Sequence, residues 1–137
     1  MKIRVLLVLL SLVLTSNLTI AQENASKPAA AVKEVTLDEA EKLIQSNTNI
    51  VILDVRTRRE FASGRLAGAK NLDFYAPDFE QKLSQMDKSK PYLIHCATGG
   101  RSAEARDKMK ELGFQNLYHM DGGFRAWQKA GKKAEKD

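Results

Sequence analysis

Two short apolar runs, Ile50-Val51-Ile52-Leu53 and Tyr92-Leu93-Ile94, constrain this chain more than any other feature. A continuous apolar run leaves no polar side for water, which marks a strand covered on both faces and hence a parallel sheet between helices. Each run breaks off into chemistry, the first into Asp54-Val55-Arg56 and the second into His95-Cys96. Open parallel sheets bind ligands outside the carboxyl ends of their strands, so both stretches stand where a site belongs.

The segments between the runs have helical patterning. Thr36-Leu37-Asp38-Glu39 is a capping box, and Leu37, Ala40, Leu43 and Ile44 then share one face to about Ser46. A short strand is expected from Ala69 to Leu72, and a helix from Asp78 to Met86 with Phe79, Leu83 and Met86 on its apolar face. Ser102 can cap a helix that buries Ala105, Met109 and Leu112 and stops at Gly113. Leu117 to Met120 reads as the last strand, and Asp121-Gly122-Gly123 turns into a helix carrying Phe124 and Trp127. Strands alternating with helices predict an α/β fold with a mainly parallel sheet.

Cys96-Ala97-Thr98-Gly99-Gly100-Arg101 leaves a buried strand and enters a helix. Two glycines let the backbone curl until successive N–H groups face inward, an anion-binding concavity backed by the positive end of the helix. A thiol there is expected as a thiolate near neutral pH, and Arg101 adds a fixed charge for the thiolate or for a substrate oxyanion. The bland alternative, a small buried cysteine, sits poorly with a Gly-Gly-Arg turn.

The Cys-x-x-x-x-Arg spacing resembles the six-residue active loop of the single-domain rhodaneses, the thiosulfate sulfurtransferases. Asp54-Val55-Arg56-x-x-x-Glu60-Phe61 with Gly64, Gly68-Ala69 and Asn71-Leu72 resembles that family's upstream signature, and Asp121-Gly122-Gly123-x-x-x-Trp127 its C-terminal one. The three blocks span about Val35 to Ala130. Arg65 departs from the family, which commonly has His after Gly64. The resemblance implies one rhodanese-like domain over residues 34–131, with about five strands and helices on both faces. It implies a ping-pong reaction in which Cys96 takes a sulfur from a small anionic donor such as thiosulfate and passes it to cyanide or a thiol. The amides of Ala97, Thr98, Gly99, Gly100 and Arg101 would hold the anion, and no metal or organic cofactor is needed. Asp54, Arg56 and Glu60 are read as supporting ion pairs, Glu60 with Arg101.

Two rivals stand beside this reading. His95-Cys96 to Arg101-Ser102 also resembles the His-Cys-x5-Arg-Ser/Thr loop of cysteine phosphatases, one residue short. The other is a rhodanese-like module that carries or senses sulfur, or docks a partner, with little turnover. His95 should point away from the side of Cys96, because side chains alternate along a strand. His119 closes the last strand, where it could lie near the loop, but one more histidine makes no metal-ligand set.

Residues 1–21 of the 137 read as a secretory signal: Lys2 and Arg4, an apolar stretch from Val5 to Leu14, then Thr19-Ile20-Ala21 before Gln22. The apolar stretch falls short of the roughly 20 residues of a membrane span, with an uncleaved anchor as the alternative. Export to a periplasm or the outside is expected, as a monomer with no membrane attachment after cleavage. Residues 22–33 read as a flexible spacer containing the glycosylation-like triplet Asn24-Ala25-Ser26, and residues 132–137 as a solvated, fraying tail. Without Lys2 and Arg4 the 22 basic residues become 20 against 17 acidic ones, a net +3 that is no nucleic-acid footprint. The single cysteine excludes a disulfide framework.

Overall fold

The computed structural model describes residues 29–137. The signal, the glycosylation-like triplet and the start of the spacer lie outside the described residues. Five parallel strands run in the order β1-β5-β4-β2-β3. They are β1 (Ala31–Val35), β2 (Val51–Asp54), β3 (Lys70–Asn71), β4 (Pro91–His95) and β5 (Asn116–Met120). Between and after them come α1 (Leu37–Ser46), α2 (Arg58–Ala62), α3 (Phe79–Ser84), α4 (Gly100–Leu112) and α5 (Gly123–Lys129).

Alternation along the strands splits the core in two. Leu53, Tyr92, Ile94 and Leu117 face α3 and α4, where Phe79, Leu83, Ala105 and Met109 cover them. Ile52, Leu93 and Met120 face the other way, under Ala40 of α1 and Phe124 and Trp127 of α5. Helices on both faces are why β2 and β4 are apolar up to Asp54 and His95, which close them. The chain leaves β2 toward one edge of the sheet and β4 toward the other. The switch point therefore lies between these neighbours, and Val55 N–H donates to the His95 carbonyl at 3.0 Å just past it.

Three expectations about these elements need correction. The strand β1 occupies Ala31–Val35, so order begins inside the stretch read as spacer. It is an edge strand with only Val35 buried, held by pairing from Ala31↔Asn116 to Val35↔Met120, and its residues carry no apolar pattern. The helix expected over Asp78–Met86 is only Phe79–Ser84, because Gln85 and Met86 close three-residue turns onto Lys82 and Leu83. Helix α4 begins at Gly100 with Gly99 as its cap, so Ser102 sits inside the first turn rather than capping it.

The tail is solvated as expected, but it is tied to the domain rather than loose. Lys132 pairs with Asp38 and Glu41 of α1, and the Trp127 indole N–H donates to the Lys133 carbonyl at 2.9 Å. Arg65 and Glu135 exchange two backbone hydrogen bonds, and the Arg65 side chain reaches Asp137 while lying over the Phe61 ring. The position that departs from the family pattern thus fastens the end of the chain.

Candidate active site

The loop from Cys96 to Arg101 closes over the carboxyl end of β4, and its curl depends on Gly99. This residue has φ +113, and an added Cβ would lie 3.4 Å from the Asp121 carboxylate. Its N–H donates to Cys96 Sγ at 3.1 Å, and Ser102 Oγ lies 3.4 Å from the same sulfur. Burial pushes the Cys96 thiol up. The Ser102 hydroxyl and the amides of Ser102, Gly99 and Thr98 together outweigh it, leaving the thiol below its ordinary value. Cys96 is only 1% exposed, while Thr98 and Gly100 form the outer surface of the loop.

The start of α5 braces the loop from beneath. Phe124 N–H donates to the Cys96 carbonyl at 2.8 Å and Arg125 N–H to the Ala97 carbonyl at 3.0 Å. For these amides to come so close, Gly123 must lack a side chain: a Cβ there would sit 2.5 Å from the Cys96 oxygen. The Asp-Gly-Gly turn is therefore part of the site although it touches no sulfur.

Glu60 and Arg101 come together at the mouth. Thr57 caps α2 in a capping box with Glu60, which fixes the carboxylate in place to receive both arms of Arg101 at 2.9 Å. The Arg101 hydrogen bonds hold the Glu60 carboxyl down at about 2, and the same pairing raises Arg101. Tyr75, 68% exposed, presents its ring to the guanidinium on the outer side. Arg101 is thus paired with Glu60, and the amides of Thr98, Gly99 and Ser102 are the donors at the sulfur.

Asp54 and Arg56 do not join the loop. Both are buried on the opposite side of the sheet, where Arg56 Nε meets Asp54 Oδ1 at 2.9 Å and Nη2 meets Oδ2 at 2.6 Å. Arg56 also donates to the Gly64 carbonyl at 2.7 Å and stacks on Phe124, 4.1 Å from the ring centre. Asn71 Nδ2 donates to the carbonyls of Asp54 and Arg56, pinning the turn after β2. These residues hold α2 and α5 against the sheet. His95 faces that side too, with Nδ1 3.2 Å from the Cys96 carbonyl and Nε2 3.6 Å from Asp54 Oδ2. Burial pushes the pKa of the ring below its ordinary value, against the pull of Asp54.

A chain of three residues leading away from the sulfur is not marked in the sequence for this role: Ser102, His119 and Glu34. Ser102 Oγ lies 2.8 Å from His119 Nε2, and His119 Nδ1 lies 2.6 Å from Glu34 Oε2. The Arg-Ser step after the loop was the available signal for Ser102. Nothing local marks Glu34, which is 85 residues from His119.

The rhodanese-like domain model matches residues 36–130. A thiosulfate sulfurtransferase GlpE of Stutzerimonas stutzeri is 34% identical over 60% of this chain and 73% of that protein. The chain belongs to the rhodanese family. This rhodanese is also 26% identical to a putative sulfur carrier protein, YrkF, of Bacillus subtilis, over 77% of this chain and 56% of that one. The crystal structure of a rhodanese-like domain protein from Staphylococcus aureus superposes with a TM-score of 0.65, at 29% identity, covering 77% of this chain and 98% of that one. Its biochemical class is therefore that of the rhodanese sulfurtransferases and sulfur carriers.

Proposed function

We propose that this rhodanese moves the outer sulfur of thiosulfate, or of a related persulfide donor, to cyanide or a thiol through a persulfide on Cys96. The observation that carries the reading is the sulfur itself, held by the Gly99 amide and beside the Ser102 hydroxyl, with the Thr98 and Ser102 amides also turned toward it. The Cys96 thiolate attacks the sulfane sulfur of thiosulfate, the S–S bond breaks, and sulfite departs with the bonding pair. The outer sulfur of the persulfide then carries the negative charge, which the amides of Ala97 to Arg101 stabilise without any proton transfer. Cyanide attacks that sulfur, thiocyanate leaves, and the Cys96 thiolate is restored. A thiolate acceptor ends instead as a persulfide.

Intact mass of the protein after thiosulfate treatment tests this, with Cys96→Ser alongside. The expected result is one added sulfur on the wild type alone, removed by cyanide with release of thiocyanate. No added sulfur on a demonstrably free thiol overturns thiosulfate as the donor, and turnover of an aryl phosphate would revive the phosphatase reading. The second reading, a sulfur carrier with little turnover, is supported by the likeness to the Bacillus protein. Loading without catalytic thiocyanate release would select it.

The site is further proposed to work outside the cytoplasm, in a monomer cut after Ala21. N-terminal sequencing of the exported protein should begin at Gln22, and a mature chain beginning at Met1 would refute the cleavage.

A further inference from the structure

A buried thiol cannot ionise unless its proton has somewhere to go. Backbone amides stabilise the resulting charge, but an N–H group has no acceptor for the departing proton. Among the described residues, Ser102 Oγ is the one hydrogen-bond partner of Cys96 Sγ that can accept. A hydroxyl that takes a proton must release its own. Of its two other contacts, the Gly99 carbonyl at 3.0 Å is not basic, whereas His119 Nε2 at 2.8 Å is. Beyond the ring, Nδ1 meets Glu34, whose side chain is about half exposed and is also held by Arg106.

We propose that Ser102, His119 and Glu34 form a proton relay that ionises Cys96, with all three acting as positioning residues for the sulfur chemistry. In the thiol state the chain of donors runs from Sγ–H to Ser102 Oγ, from Ser102 O–H to His119 Nε2, and from His119 Nδ1–H to Glu34. Ionisation breaks the Sγ–H bond and leaves its electron pair on sulfur. The proton joins Ser102 Oγ as the hydroxyl proton moves to His119 Nε2. The product is a thiolate and an imidazolium, with His119 now donating to Ser102 and Ser102 to the sulfur. Every group keeps a partner in both states. Exposed Glu34 gives the imidazolium an outlet to water.

The titratable and charged groups around His119 are Glu34 on β1, Arg106 on α4 and Cys96 just past β4, with His95 on the other face of the sheet. Arg106 is itself shared between Glu34 and Asp107, so it steadies the Glu34 carboxylate rather than opposing the ring.

The relay rests on Cys96 as the nucleophile, but its test reads ionisation with no sulfur donor present. A protein that fails to load sulfur yet shows the coupling below refutes the proposed function alone. The rate of Cys96 alkylation by iodoacetamide is followed against pH in wild type, His119→Gln and Glu34→Gln. His119→Gln retains a hydrogen-bonding amide but takes no proton. It should raise the midpoint by about one pH unit, slowing alkylation about tenfold at neutral pH with the alkaline plateau unchanged. Glu34→Gln should shift the midpoint the same way by less. A merely structural role would change the plateau and leave the midpoint alone. Independently, the His119 ring is titrated by NMR in wild type and Cys96→Ser, where loss of the thiolate should lower its midpoint. An unmoved midpoint in folded His119→Gln, or the same ring titration with and without Cys96, overturns the relay. If His119→Gln does not fold, the ring titration decides.

Discussion

Arg101 meets Glu60 in a two-point contact, with Nη1 to Oε2 and Nη2 to Oε1 each at 2.9 Å. The carboxylate arrives from α2, the guanidinium from the first turn of α4, and the pair ties the mouth of the loop to the segment after β2. Glu60 is depressed from 4.5 to about 2 by the Arg101 hydrogen bonds. A depressed carboxyl contributes stability above its unfolded value and loses it as the pH falls through its folded value. Urea unfolding of wild type should therefore exceed that of Glu60→Gln by a constant margin above about pH 5, and the margin should shrink steadily toward pH 2. A margin independent of pH would mean that the ion pair contributes nothing.

The second pair behaves differently because it is dry. Asp54 is 0% and Arg56 3% exposed, so Asp54→Asn strands a buried guanidinium and should cost about 3 kcal/mol in urea unfolding. Sulfur loading per folded molecule should be unchanged, since neither group reaches the sulfur. A variant of normal stability that fails only in loading would place Asp54 in the chemistry instead.

Two glycines, one in the loop and one beneath it, make a matched comparison. Gly123 has φ +61, and its Cβ would lie within 2.7 Å of backbone atoms of Cys96 and Ala97. Gly100 has nothing within 4 Å. Gly123→Ala should destabilise by at least about 2 kcal/mol, while Gly100→Ala stays within about 0.5 kcal/mol of wild type. Thermal midpoints of the two variants check this, and equal losses would show that the close approach of α5 is not what holds the loop.

Deleting residues 132–137 removes the Lys132 ion pairs, the Arg65–Glu135 bridge and the acceptor of the Trp127 indole. The expected cost is about 1–2 kcal/mol, mostly from the unpaired indole N–H and the opened edge of the core. Trp127 is the chain's single tryptophan, so its fluorescence should shift to the red in the folded protein. An unshifted spectrum and an unchanged thermal midpoint would return these residues to the status of a loose tail.

The central strands, the long helices and the reactive loop were legible because each advertises itself within a few neighbouring residues. Ile50 to Leu53 and Tyr92 to Ile94 need cover on both faces, and Cys96 to Arg101 combines a thiol, two glycines and a helix start. The short helix α2 was not legible, since five residues are too few to show a period, although Thr57 and Glu60 form its capping box. The edge strand β1 was missed for a related reason. One buried residue in five gives no apolar alternation, and the backbone pairing with β5 that holds it leaves no trace in residue type.

By itself the sequence determined an α/β chain with a parallel sheet, a cysteine loop at the carboxyl end of a buried strand, and a family resemblance that matches over residues 36–130. Only the tertiary structure decided which side chains lie on the side of the sulfur. It turned Asp54 and Arg56 inward as a brace, gave Gly123 its need to be small, and brought Glu34 and Ser102 to opposite sides of His119. Local pattern follows from propensity and burial, which act along the chain. The company a side chain keeps across a sheet depends on strand order and register, which are settled only when distant strands pair.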